Sequence, residues 1–437
     1  MNDSAYRRLV RAWAMYDWAN SAFATTVMAA LFPLFFRSMA RASGVAEADA
    51  TAYWGYTTSA ALVLVALLGP VLGSMADHLG CKKPFVAAFA GLGIAATILF
   101  VFLGERSYRL GAILYILGDV GFAGANIFYE SLLPHVARRG DMDRVSARGY
   151  AMGYIGGGLL LVVNLAWMSH PDWFFMPGTG FAMRASFLSV AAWWAVFSLP
   201  LLRHVPEPRV AHLPGEAGGT VRAALQRLRH TAAQVRRYRH LVLFLAAFWL
   251  YNDGIGTIQK MALAYGDEIG IDRQDLIAAL VITQFVGVPA AFAFGHLAGR
   301  LGSKRAILLG LAAYSAIAVA GYFMRTAAHF YGLAFAVGLV QGGTQALSRS
   351  LFGAMVPRSQ SAEFFGFFST SSKFAGIIGP VVFGVVSQVM GSSRLSIVSL
   401  VVLFVAGAAL LTRVDVAEGI RVAEAEDAAF AARAETG

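Results

Sequence analysis

Residues 73–83 read Gly73-Ser-Met-Ala-Asp77-His-Leu-Gly80-Cys-Lys82-Lys83, and residues 295–305 read Gly295-His-Leu-Ala-Gly299-Arg-Leu-Gly302-Ser-Lys304-Arg305. At a constant offset of 222, five of the eleven positions are identical, and the last is basic in both copies. A repeat at about half the chain length marks an internal duplication. The residue types suit a latch between helices. Glycines allow a tight turn and close helix approach, an acid such as Asp77 can pair with basic groups or with a helix terminus, and the paired cations hold their loop on one side of a membrane. Gly73, Asp77, Gly80, Lys82, Lys83, Gly295, Gly302, Lys304 and Arg305 are therefore the expected gate-loop residues. The second copy has Gly299 where the first has Asp77, so the stronger ion pair is expected in the first. The simpler alternative is a pair of basic turns that only set topology.

Both copies follow long uncharged runs. The 437 residues are 58% hydrophobic and 14% charged, against about 25% charged in a soluble domain. About 18 apolar residues suffice to cross the hydrocarbon as a helix. Ten uncharged runs reach that length: 18–36, 53–76, 84–104, 149–169, 185–202, 276–295, 306–324, 330–348, 374–393 and 395–412. Two further stretches, 110–134 and 241–265, are interrupted by Asp119 and Glu130, and by Asp253 and Lys260. The expectation is an all-α membrane protein with twelve spans in two pseudo-symmetric six-helix bundles. Residues 1–203 form the first, 204–240 a linker, 241–412 the second and 413–437 a cytoplasmic tail. Within the linker, Val221, Leu225, Leu228, Ala232 and Val235 recur at helical spacing among arginines. That pattern predicts a basic amphipathic helix on the membrane surface, with a solvated linker as the alternative.

The net charge of +10 does not point to nucleic acid. With the N-terminus inside, 24 of the 35 Lys and Arg residues fall in alternate connections on the cytoplasmic side, the positive-inside pattern, whereas a nucleic-acid footprint gathers on one soluble face. The first apolar run carries no convincing cleavage site and is expected to stay. A single cysteine, Cys81, leaves no internal disulfide. The nine histidines make no metal-spaced pair, no nucleophile stands with a matching base, and no GxxxxGK[ST] loop is present. No cofactor, no metal and no enzymatic activity are therefore expected. Gly156, Gly157 and Gly158 lie inside an apolar helix and read as close packing, not as a phosphate loop. Phe364, Phe365, Phe367 and Phe368 read as packing against lipid and neighbouring helices.

Ionisable residues inside spans are the most informative positions, since each costs at least about 2.5 kcal/mol at the bilayer centre without a cavity or a partner. Counting from helix ends places Asp17, Glu130 and Arg349 in the inner third, Asp119, Asp253 and Lys373 near mid-depth, and Lys260 in the outer third. Helical spacing adds polar company on the same faces: Tyr16, Asn20 and Thr25 beside Asp17, Asn126 between Asp119 and Glu130, Asn252 and Gln259 beside Asp253, and Gln341 and Gln345 in line with Arg349. Spans one, four, seven and ten thus carry polar stripes. Glu130 and Arg349 are expected to pair, or to exchange partners with Asp17, and a carboxylate that gains and loses a cation changes its proton affinity. Asp119, Asp253 and Lys373 then offer both signs of charge to a zwitterion. Static ion pairs that fix helix packing are the competing account.

The pattern Gly73, Asp77, Gly80, Lys82 and Lys83 resembles that of the major facilitator superfamily between spans two and three. Three further stretches resemble a narrower group, the vacuolar amino-acid effluxer-like (autophagy-related) family: Tyr16-Asp17-Trp18-Ala19-Asn20-Ser21, Tyr251-Asn252-Asp253-Gly254, and Gln341-Gly-Gly-Thr-Gln345-Ala-Leu-Ser-Arg349-Ser350. The resemblance implies an alternating-access carrier with spans one, four, seven and ten around a central cavity. Together the two lines predict a secondary transporter of a small polar solute, an amino acid or similar zwitterion, with protons as the coupling ion and efflux favoured. A monomer in contact with membrane lipid, in a bacterial inner membrane with both termini cytoplasmic, completes the expectation. The alternatives are a receptor or scaffold without transport and an exporter of amphipathic compounds.

Overall fold

The computed structural model describes residues 2–138, 140–208, 237–374, 379, 382–383, 385–386, 389 and 393–435. Among these residues every regular element is helical. The first span is a composite: α1 (Asp3–Ala22) runs without a break into a π-helical stretch, Phe23–Leu31, and then into α2 (Phe32–Ala42), which has Pro33 in its first turn. There follow α3 (Glu47–Leu79), α4 (Lys82–Leu99), α5 (Tyr108–Ser131), the short α6 (Leu133–Val136), α7 (Met142–Ser169) and α8 (Thr179–His204). The second half comprises α9 (Arg239–Glu268), α10 (Arg273–Leu301), α11 (Ser303–Tyr322), α12 (Ala327–Ala354), α13 (Ser361–Phe374), α14 (Ser393–Ser399), α15 (Val401–Thr412) and α16 (Val416–Glu435). The amphipathic pattern at 221–235 lies outside the described residues.

Ten helical stretches among the described residues are long and apolar enough to span a membrane. Helix α12 is not one of them. Its run from Gln341 to Ser350 dilutes its apolarity with Gln, Gly, Thr, Ser and Arg, the residues that make it a candidate site. The other two of the twelve expected spans are α12 and the stretch 374–393, most of which lies outside the described residues.

Helices extend past the points where uncharged runs stop. Residues 276–295 are expected from charge counting, whereas α10 continues to Leu301, and α3 continues to Leu79. The repeated motif is therefore the last turns of a helix followed by a corner of two residues in the first copy, Gly80 and Cys81, and of one in the second, Gly302. Gly80 and Gly302 make those corners at φ 63° and 84°, the left-handed region in which a side chain clashes with the backbone. This is the physical reason both copies keep that glycine.

The described residues fall into two compact units. One holds Met1–Gly69, Gly80–Glu130 and Met152–Pro208, and the other holds Pro70–Leu79, Ser131–Ala151 and Arg209–Gly437. In the first unit α8 packs on α1 and α4. Gly153, Gly156 and Gly157 of α7 lie so close to Ser21 and Trp18 of α1 that a Cβ at any of them would stand within 2.9 Å of that helix. The glycine run is close packing, in the manner of small residues between membrane helices. In the second unit α10 packs against α12, and α9 against α15 and α13. Its core holds an aromatic stack, with Phe368 at 4.4 Å from Phe248 and 4.7 Å from Phe352, centroid to centroid. Phe364, Phe365 and Phe368 are buried in it, and so pack on neighbouring helices.

Candidate functional site

Within the first unit the polar stripes of spans one and four meet. Asn20, almost fully buried, donates from Nδ2 to Oδ1 of Asn126 at 2.5 Å. Tyr129 donates its hydroxyl to Asp17 Oδ2 at 2.7 Å, and Trp13 Nε1 donates to the Tyr129 carbonyl at 3.2 Å. Trp13 stacks on the same tyrosine ring at 4.6 Å. Asp17 is thus held by a neutral phenol on a rigid aromatic shelf. The π-helical stretch begins three residues beyond Asn20, and Thr25 within it bonds the carbonyls of Ser21 and Gly157 at 2.9 and 3.1 Å. A π-turn frees carbonyls of the ladder, a feature enriched at functional positions. Asp119 is 2% exposed and Glu130 half-buried on the same helix, α5.

The second unit places Asp253 in mid-span on α9, 1% exposed, with Oδ2 accepting the backbone N–H of Gly379 at 2.6 Å. Gly379 precedes Pro380 in the eleventh span. It lies tight against Asp253 and Thr257, where no side chain would fit. Thr257 donates to the Asp253 carbonyl at 2.7 Å. Tyr251 and Ser348 bond through their hydroxyls at 2.6 Å, which ties α9 to α12. Asn252, Gln341 and Gln345 are half-buried and Gln259 is exposed. The side chains of Lys260 and Lys373 lie outside the described residues.

Arg349, 1% exposed, donates from Nε to Ser146 Oγ at 2.9 Å and from Nη2 to the Ser146 carbonyl at 3.0 Å, and its guanidinium lies 4.5 Å from the Tyr150 ring centroid. Ser146 donates in turn to the Ala346 carbonyl at 2.7 Å. A serine hydroxyl, a carbonyl and a ring face are thus among the partners of a planar cation, a geometry that suits arginine and not lysine.

The gate motif closes onto helix starts. Asp77 is buried, and its two carboxylate oxygens accept the N–H groups of Ala362 and Glu363 in the first turn of α13, at 3.1 and 2.8 Å. The anion therefore caps the positive end of a helix. Gly73, one turn earlier, is so close that an added Cβ would stand 2.3 Å from the Ala362 carbonyl oxygen. Beside this junction His135 and Ser361 lie 3.1 Å apart. In the second copy Gly295 packs on Ala147 of α7. Ser303 donates to Asp143 Oδ2 at 2.7 Å, and Ser350 to Oδ1 of the same carboxylate. Lys304 caps the end of α15 by donating to the carbonyls of Thr412 and Val414 at 2.8 and 2.7 Å. At the start of α4, Glu207 accepts the N–H groups of Lys82 and Lys83. Burial nevertheless raises its carboxyl above the usual carboxylate range, and burial together with Glu207 pushes up the Cys81 thiol.

Asp143, Ser146, Tyr150, Tyr129, Ser348 and Gly379 are participants that sequence reading overlooks. For Asp143 a signal existed: where the second motif lacks its acid, one stands in the first turn of the helix on which that motif rests.

The model of a family described as vacuole effluxer Atg22 like matches residues 5–424. The chain belongs to that family. This Atg22-like chain is 39% identical over 400 residues to YxiO, an uncharacterized MFS-type transporter of Bacillus subtilis (strain 168), with 91% of this chain and 93% of YxiO covered. It is 23% identical to autophagy-related protein 22 of Pyricularia oryzae, over 93% of this chain and 76% of that protein. In fold it is similar to the Escherichia coli fucose:proton symporter FucP, with TM-score 0.70, 14% identity and coverage of 94% and 99%. The proton:xylose symporter XylE gives TM-score 0.71, 14% identity and coverage of 94% and 96%. The fold is that of the major facilitator superfamily, and the chain is an MFS-type transporter.

Proposed function

We propose that this Atg22-like transporter moves a small polar solute, an amino acid or a similar zwitterion, by alternating access between the halves 1–203 and 241–412, coupled to protons and working as an effluxer. Both termini face the cytoplasm of a bacterial cell, the chain sits in the inner membrane, and it acts as a monomer. The observation that carries the reading is Asp253. A carboxylate buried in mid-span is expensive, and this one bonds a backbone amide of the eleventh span at a Gly-Pro step. Protonation removes its charge and weakens its grip on Gly379, so one titration changes both the charge offered to a solute and the hold on a helix. Asp17, with Tyr129 as its neutral donor, is the second titratable carboxylate of the pathway. Efflux is supported by the described activity of the family.

The test is counterflow in proteoliposomes against pooled amino acids and small solutes, with and without an imposed pH gradient. Saturable movement of one class, enhanced by the gradient and abolished in Asp253→Asn, is the expected outcome. Normal transport by a folded Asp253→Asn protein would sink the assignment of this residue, and movement of no solute would sink the carrier reading.

A further inference from the structure

Helix α16 follows the last span and carries several acids. It is docked on the helices of its own unit. Gly419 rests on Met355, with a Cβ there only 2.7 Å from the sulfur, and Ala423 is buried. Asp415 starts the helix by accepting the N–H of Glu418 at 3.1 Å, and its own N–H donates to His240 Nδ1 at 3.0 Å. Two adjacent acids, on different faces of the helix, then reach different partners. Glu426, 5% exposed, pairs with Arg237 at 2.6 Å, where the described part of the chain resumes ahead of α9. Asp427 turns to the connection between α12 and α13. Its Oδ2 accepts the N–H of Arg358 at 2.9 Å, and its Oδ1 accepts the N–H and the hydroxyl of Ser359 at 3.1 and 2.9 Å.

Those partners decide the meaning of the contact. Arg358–Gln360 is a single 3-10 turn that leads straight into α13, whose first-turn amides at Ala362 and Glu363 are held by Asp77. Two carboxylates far apart in sequence therefore cap two consecutive helix starts within six residues of chain. We propose that Asp427 is a positioning residue for the latch: α16 straps down the 358–360 turn and so presents the amides of Ala362 and Glu363 to Asp77. Release of the strap lets the turn unwind and the latch open, while Arg237 ties the same strap to the end of the linker. This deepens the transporter reading, in which the latch belongs to the gate. Its test is independent of any solute.

The experiment is hydrogen–deuterium exchange of the full-length protein in lipid nanodiscs, read on peptides that cover 356–366. Charge-assisted bonds to backbone amides protect strongly, so Asp427→Ala should speed exchange of the Ala362 and Glu363 amides at least about tenfold. Asp427→Asn, which keeps one good acceptor, should give a smaller acceleration. Peptides of α8 should keep wild-type rates in both. Removal of residues 416–437 should match Asp427→Ala, and Asp77→Asn should accelerate the same two amides with α16 still protected. Wild-type protection of Ala362 and Glu363 in the Asp427→Ala and truncated proteins would overturn the proposal. Should Asp427→Ala not fold, Ser359→Ala removes one of the three bonds, and unchanged exchange there together with unchanged exchange in Asp427→Asn would overturn it equally.

Discussion

The two copies of the repeated motif reach the same result with the acid on opposite sides of the contact. In the first copy the acid is in the motif: Asp77 of α3 accepts two backbone amides at the start of α13. In the second, the motif offers Gly299 and Ser303, and the acid belongs to the helix below, where Asp143 in the first turn of α7 accepts the Ser303 and Ser350 hydroxyls. Each motif also sets its leading glycine against that helix, Gly73 on the Ala362 carbonyl and Gly295 on Ala147. The glycines are thus the shared part and the electrostatics the divergent part. Asp77 binds the partner helix through that helix's own amides and dipole, whereas Asp143, in the first turn of its own helix, reaches the second motif only through hydroxyl bonds. The first latch should be the stronger of the two, and substitutions can break or sharpen that asymmetry.

The largest effect is expected from Asp77→Ala, which strips two buried amides of their acceptor and should cost about 3 kcal/mol. The check is a lowered thermal midpoint in detergent together with faster amide exchange in the first turn of α13. Gly73→Val comes next, since the carbonyl it meets cannot move without shifting α13, at about 1–3 kcal/mol. Measured in the same way, an unchanged midpoint would show that the close approach is not maintained. Asp143→Asn retains one acceptor for two hydroxyls and should lose only about 1 kcal/mol, with faster exchange confined to the start of α7. At Gly299 there is room, because an added Cβ would lie 3.9 Å from the Arg144 guanidinium and nearer to nothing else. Gly299→Ala should therefore stabilise the helix end by up to about 1 kcal/mol. Gly299→Asp, which restores the acid missing from the second motif, should gain less than about 1 kcal/mol from Arg144 at the surface. A loss at Asp143→Asn equal to that at Asp77→Ala would show the two latches to be energetically alike.

Much of the fold was legible because the bilayer makes local composition decisive. A run of apolar residues long enough to cross has to be a helix, as no other single segment can satisfy its own backbone in hydrocarbon. Charge counting still clipped α3 and α10 short, because a helix does not end where the hydrocarbon does. The candidate site was legible as a set of faces. Spacing sets Asn20 beside Asp17 on one helix and Asn126 between Asp119 and Glu130 on another; the contact between Asn20 and Asn126 comes from packing. The aromatic shelf of Trp13 and Tyr129 could not be read, since neither ring is unusual in a membrane helix. The π-helical stretch Phe23–Leu31 was equally hidden, because its residues carry no pattern that distinguishes it from an α-helix. Arg349 was recognised as important, but its Ser146 and Tyr150 partners lie on α7, a helix whose uncharged run begins one residue before Tyr150.

Sequence alone determined that this chain is helical, crosses a membrane many times and repeats itself at an offset of 222, because periodicity, hydropathy and duplication are properties of neighbouring residues. Tertiary structure alone decided what each polar group does. Asp77 finds its amides 285 and 286 positions away, Asp253 its amide 126 away, and Asp427 its turn 68 and 69 away. A backbone N–H is the same chemical group at every residue other than proline, so only the packing of helices can select which one a carboxylate meets.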